Sequence, residues 1–226
     1  MATIQIPTNQ CQKPSGWLGR LIIWNMNSRH SKVTDWGLSH ITAKPQDTIL
    51  DVGCGGGKTV SKLAAVATQG KVYGLDYSDV SVAVAKKLNA PLIEMGRVEI
   101  HAGSVSELPF PSNTFDLVTA VETHFWWPDL PTGMREILRV LKPGGTLAII
   151  AEIYKGAETK TARLVEKHIS KIGMKFLSAE EHRALFADAG YSDVRIVTES
   201  GKGWICGIGK KLSTEMRWSR AVLHRA

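Results

Sequence analysis

The sequence predicts an α/β domain with seven strands in a mainly parallel sheet, helices on both faces and a helical cap before the first strand. Three observations carry this. From residue 48 to 209, short apolar runs alternate with segments whose apolar residues recur at spacings of three and four. Gly and Pro punctuate the joints between them at regular intervals. The first strand and first helix are joined by Gly53-Cys54-Gly55-Gly56-Gly57, and such joints lie where an α/β sheet meets its ligand.

The elements follow in chain order. Residues 1–46 read as an arm and cap: a polar stretch to Gly16, then a largely helical pattern over 17–42 that holds Trp17, Trp24 and Trp36. Lys44-Pro45-Gln46-Asp47 is a turn. Residues 47–209 form the main domain. Thr48 to Val52 is a short apolar run of the kind that makes a buried parallel strand. Gly57 to Thr68 is a helix with Val60, Leu63, Ala64 and Ala67 on one face. Lys71 to Leu75 is the second strand, and Ser78 caps a helix with Asp79 in its first turn. Pro91 breaks or restarts that helix near 90, and Arg97 to His101 is the third strand. Asp116 to Val121 is the fourth strand. The helix from Leu130 to Leu141 stops at Lys142-Pro143-Gly144-Gly145, and Thr146 to Ala151 is the fifth strand. Ser178-Ala179-Glu180-Glu181 is a capping box for a helix reaching Ala189. Val194 to Thr198 and Trp204 to Ile208 form a closing hairpin. Residues 210–226 are a basic tail.

The 226 residues suit one ordinary domain. A content of 43% hydrophobic and 22% charged residues excludes a disordered chain and a fibrous rod. The net charge of +7 sits at the two ends: residues 1–46 and 210–226 each hold five basic residues and one acid, whereas 47–209 hold 18 basic and 19 acidic. A nucleic-acid partner is therefore not expected, because its basic face belongs on the working domain. Cysteines at 11, 54 and 206, with no C-x-x-C, give neither a disulfide framework nor a metal site, and no metal is expected. No apolar run approaches the ~18–20 residues of a membrane span, and Met1 to Gln10 lacks the form of a signal peptide. A cytoplasmic protein is expected.

The glycine joint narrows the ligand. A P-loop needs its first glycine at position 52, which is Val52. A dinucleotide fingerprint needs its third glycine at 58, which is Lys58. The joint does fill D-x-G-x-G-x-G with Asp51, Gly53, Gly55 and Gly57. A carboxylate at the strand end suits a ligand with a cationic amino group better than a pyrophosphate. Here the chain resembles the class I S-adenosylmethionine-dependent methyltransferases, particularly the small-molecule type of quinone biosynthesis. Tyr73 to Ser78, Gly103 to Phe110, Phe115 to Val118 and Arg139 to Gly145 match further blocks of that family in its order.

The resemblance implies a Rossmann-like sheet, S-adenosylmethionine as cofactor and methyl transfer to a small-molecule acceptor. Methylation of RNA or protein, a non-catalytic cofactor-binding module and, distantly, an NAD-dependent oxidoreductase are the alternatives. It implies that Asp51, Gly53, Cys54, Gly55, Gly57, Asp76, Tyr77, Ser104, Val105 and Glu122 hold the cofactor. Asp76 takes both ribose hydroxyls, since one carboxylate accepts from two donors. Ser104 stands where the family usually has an acid, so adenine contact falls on the Val105 amide. Neither the Asn/Asp-Pro-Pro-aromatic segment of DNA amino-methyltransferases nor the Pro-Cys of cytosine-carbon enzymes follows the fourth strand. Val121-Glu122-Thr123-His124 stands there instead. His124 is the candidate general base, because an imidazole titrates near neutral pH, and Glu122 binds or orients. Asn27 and His30 of the cap and Trp126 are candidates for the acceptor pocket.

Overall fold

In the computed structural model, residues 30–199 and 201–213 are described, apart from the side chains of 169–172. Asn27, the tryptophans at 17 and 24 and the tail beyond 213 lie outside the described residues. Seven strands form one sheet: β1 (Thr48–Val52), β2 (Lys71–Asp76), β3 (Val98–Ala102), β4 (Phe115–Val121), β5 (Leu141–Ala151), β6 (Ser192–Glu199) and β7 (Trp204–Lys210). Their order is β3-β2-β1-β4-β5-β7-β6. The first five run parallel, and β7 inserts antiparallel between β5 and β6. The expected sheet of seven mainly parallel strands is thus present.

Helices α1 (Ser31–Leu38), α2 (Lys58–Val66), α3 (Asp79–Leu88), α4 (Ala90–Glu94), α5 (Leu130–Val140), α6 (Lys160–Ile172) and α7 (Ala179–Asp188) complete the described elements. On one face, Val60, Leu63 and Ala64 of α2 pack with Val82 and Ala85 of α3 against Ile49, Val72 and Leu117. On the other, Met134, Ile137 and Val140 of α5 and Phe186 of α7 pack against Leu50, Val118 and Leu147. Both faces of the central strands are dry, which is why β1 reads as an unbroken apolar run and not as an alternation.

Glycines set the closest approaches. Gly207 and Gly209 of β7 make room for the Phe186 ring, and a Cβ at Gly209 would lie 2.5 Å from it. Two differences from the sequence reading have local causes. β5 begins at Leu141, because Leu141 pairs with Phe115 before the strand bulges and Thr146 pairs with Leu117. The described part of the cap's helical pattern is shorter than expected: α1 ends at Leu38, and Ser39 follows as its C-cap.

Candidate active site

The strand order reverses between β1 and β4, and a ligand-sized cavity opens beyond their carboxyl ends. Most of the expected site residues meet there. From the β1 end come Asp51, Gly53, Cys54 and Gly55; from β2, Asp76 and Tyr77; from the segment after β3, Gly103, Ser104 and Val105. Glu122, Thr123, Trp126 and Trp127 follow β4, and His30 enters from the start of α1.

The glycine loop is tied down by backbone geometry. The amides of Gly53 and Cys54 both donate to the Leu75 carbonyl, at 2.7 and 3.0 Å, which folds the loop over the end of β2. Gly53, Gly55 and Gly57 all have positive φ, the region where a Cβ is disfavoured. Their tasks differ. A Cβ on Gly53 would lie 2.1 Å from Thr123 Oγ1, so this glycine admits the loop after β4. A Cβ on Gly55 would meet nothing within 4 Å, so this glycine opens the loop to the cavity. Gly57 lies outside the cavity wall. It begins α2, where a Cβ would lie 3.0 Å from the Ala85 backbone, and its role is to bring α2 against α3.

Two carboxylates are buried at neighbouring strand ends. Asp51 is 1% exposed and accepts a hydrogen bond from Thr119 Oγ1 at 2.7 Å. Burial pushes its pKa up to about 7, against the Thr119 bond and with help from the Asp76 charge. Asp76 accepts from the Gly55 amide and the Ser78 amide, each at 2.9 Å. Burial raises its pKa as well, opposed by those backbone bonds. Cys54 is a buried thiol whose pKa burial drives up, so it behaves as a packing group. Tyr77 is half-exposed at the mouth, and its pKa is pushed up to about 12 by partial burial and by Asp76.

The segment from 103 to 110 is held from behind. The Leu108 amide donates to Glu136, and Arg139 donates to the carbonyls of Leu108 and Phe110. Ser104 Oγ accepts from the Ser106 amide at 3.2 Å, which braces the turn carrying Val105.

His124 is not where the sequence reading put it. Its ring is 2% exposed, points away from the cavity and meets His182 of α7, Nε2 to Nε2, at 3.0 Å. His182 Nδ1 lies 2.7 Å from the Ser178 carbonyl, an acceptor only, so that nitrogen carries the proton. Neutral His182 then accepts at Nε2 from His124. Burial first, and the His182 charge second, hold the His124 pKa well below the usual imidazole range. The physical reason for the misplacement is the 3-10 turn at His124–Trp126, which turns His124 and Phe125 into the core while Trp126 stays on the wall.

Sequence reading missed the lower wall. Ser31 and Thr34 of α1 and Lys58 and Lys62 of α2 also line the cavity. Lys62 Nζ donates to Ser31 Oγ at 3.0 Å and bonds Asp35, stapling α1 to α2. The signal was the apolar spacing of α2, which leaves positions 58 and 62 on its polar side.

Known proteins match this arrangement. Residues 50–149 match the methyltransferase domain family. The chain is 31% identical over 82% of its length to 2-methyl-6-phytyl-1,4-hydroquinone methyltransferase of Arabidopsis thaliana chloroplasts, of which it covers 50%. It is 42% identical over 45% of its length to demethylmenaquinone methyltransferase of Bacillus mycoides, of which it covers 43%. The chain thus spans about half the length of these curated relatives, or less. Among solved structures, a SAM-dependent methyltransferase from Aquifex aeolicus superposes with a TM-score of 0.69 at 23% identity, covering 85% of this chain and 98% of that one. Geranyl diphosphate C-methyltransferase from Streptomyces coelicolor A3(2) superposes with a TM-score of 0.67 at 16% identity, covering 88% of each chain. Together with the glycine loop, the two strand-end acids and the 3-2-1-4-5-7-6 sheet, the match over residues 50–149 makes the chain similar to the class I S-adenosylmethionine-dependent methyltransferases, and among them it resembles the quinone-biosynthesis members.

Proposed function

We propose that this protein transfers a methyl group from S-adenosylmethionine to a small aromatic acceptor of the hydroquinone type. One observation carries the cofactor half: two buried carboxylates, Asp51 and Asp76, end neighbouring parallel strands in one cavity under a glycine loop. Buried carboxylates need cations or hydrogen-bond donors. An amino-acid ammonium beside Asp51 and a ribose diol on Asp76 supply both. A dinucleotide would instead bring a pyrophosphate against two acids, and like charges in a desolvated cavity repel strongly.

S-adenosylmethionine supplies a sulfonium methyl with a neutral thioether as leaving group. What remains for the protein is to hold an acceptor atom in line, and positioning can supply about 7–11 kcal/mol of the barrier. Trp126 and Trp127 offer an aromatic wall for a flat acceptor. The names of the relatives, a hydroquinone and a demethylmenaquinone methyltransferase, support an acceptor of that class. A proton lost from an acceptor hydroxyl leaves toward Glu122 or His30, which line the cavity, and not toward His124.

Calorimetry with S-adenosylhomocysteine tests the reading. Asp76→Ala removes an ionised acceptor for two hydroxyls. At about 1.5–3 kcal/mol for each bond to a charged group, affinity should fall at least ~10-fold. Equal affinity in wild type and variant refutes the assignment. Homocysteine-thioether release with hydroquinones, and not with RNA or protein, separates the acceptor classes.

A further inference from the structure

We propose that His30, Glu122 and Glu152 form a binding site for a divalent transition-metal ion on the wall of this cavity, beyond the ends of β4 and β5. Each residue offers one ligand atom, and these atoms lie within 4.8 Å of one another. Ligand atoms bonded to one tetrahedral metal at ~2.0–2.2 Å lie ~3.3–3.6 Å apart. A contraction of no more than ~1.5 Å closes the set. His30 Nε2 and Glu152 Oε1 are already 3.7 Å apart.

The three ligands come from different elements. His30 precedes α1, Glu122 follows β4 and Glu152 follows β5. The two acids are fixed to each other by backbone: the Glu122 amide donates to the Ile150 carbonyl at 2.9 Å, and the Glu152 amide donates to the Glu122 carboxylate. Both carboxylates therefore reach the His30 ring as a preformed pair. Their combined charge matches a divalent ion. One imidazole nitrogen with two carboxylates suits Mn²⁺, Fe²⁺ or Zn²⁺ better than Mg²⁺ or Ca²⁺, which prefer oxygen throughout. The sequence gives no warning, because metal motifs are recognised by short spacing and these ligands are joined only by the fold.

His30 and Glu122 line the same cavity as Asp51 and Asp76, so an ion held there faces the acceptor. This consequence rests on the proposed function. A metal-bound acceptor hydroxyl gives up its proton at lower pH. With the ion bound, His30 and Glu122 act as its ligands and the proton leaves to solvent.

The full-length protein, stripped with a chelator, is titrated with Mn²⁺ and separately with Zn²⁺. Calorimetry reads both ions, and electron paramagnetic resonance reads free Mn²⁺. One equivalent should bind saturably, and His30→Ala and Glu152→Gln should each weaken binding at least ~10-fold. Retained S-adenosylhomocysteine binding by Glu152→Gln reports an intact fold. No saturable binding of either ion to wild type, or unchanged binding in both variants, overturns the site. Failure of the wild type to bind S-adenosylhomocysteine while it still binds metal condemns the cofactor reading alone.

Discussion

At the scale of single residues, the acids and glycines were legible and the histidine was not. Asp51 and Asp76 end apolar runs, and a charged residue at the end of a buried strand has few reasons to be there except a ligand. His124 also follows a strand, but one 3-10 turn decides whether a side chain faces ligand or core, and residue type does not encode that turn. Its Nδ1 is buried with no hydrogen-bond partner among the described residues, so the His124–His182 pair is held together neutral. This gives a pH signature. Both imidazoles have pKa values lowered by burial in the fold, whereas unfolded histidines titrate near 6.5. Below that value the unfolded chain takes up protons that the folded pair refuses. The pair's stability is therefore complete above about pH 6.5 and is lost as pH falls from there toward the lowered folded values. Melting temperature should drop between pH 7 and 5. In His124→Gln, which keeps a donor toward His182 but does not titrate, that drop should be visibly shallower. Methyl-transfer turnover in the same variant should change less than ~3-fold, far short of the ~10²–10⁴-fold loss that follows removal of a general base. Equal pH slopes in wild type and variant would dismiss the pair as the sensor.

At the scale of elements, strand–helix alternation was read from periodicity, and the ends drifted where pairing overrides punctuation. Pro143-Gly144-Gly145 stops α5 as expected, yet β5 begins before it, because a bulge lets Leu141 reach Phe115. The capping box at Ser178 was read correctly, since Ser178 accepts from the Glu181 amide and Glu181 reaches back to the Ser178 amide. The glycine loop shows how one motif divides its labour. Gly53→Ala sets a methyl against Thr123 at positive φ, so it should cost stability first and ligand binding as a consequence. Gly55→Ala meets no protein atom and should cost only the left-handed backbone penalty, about 1–2 kcal/mol. Its methyl faces the cavity, so affinity for S-adenosylhomocysteine should fall further than that loss of stability accounts for. Thermal unfolding and calorimetry on the two variants should therefore rank them in opposite orders. The same order in both measurements contradicts the division.

At the scale of the whole molecule, the sheet and its ligand edge follow from local pattern, but the closing of the cavity does not. The cap approaches through contacts that no periodicity announces: Lys62 tying α2 to Ser31 and Asp35, and Gly37 of α1 against β5 and β7. Gly37 is the closest of these. A Cβ there would lie 2.5–2.6 Å from three Ile150 side-chain atoms, including both branches at its Cβ, so no single rotation of Ile150 clears it. Cys206 Sγ lies 3.7 Å from the Gly37 carbonyl on the same side, which leaves α1 no route deeper into the sheet. A larger residue must therefore lift α1 outward. Lifting it carries His30, Ser31 and Thr34 off the cavity wall while the sheet and its two large cores stay in place. Overpacking of this kind costs about 1–3 kcal/mol, or roughly 2–12 °C in melting temperature for a domain of this size. Gly37→Leu should show that modest loss and retain its far-ultraviolet circular dichroism. It should also bind S-adenosylhomocysteine more weakly, although residue 37 lines no part of the cavity. Unchanged ligand affinity at lowered stability would mean that the cap covers the site without helping to hold what enters it.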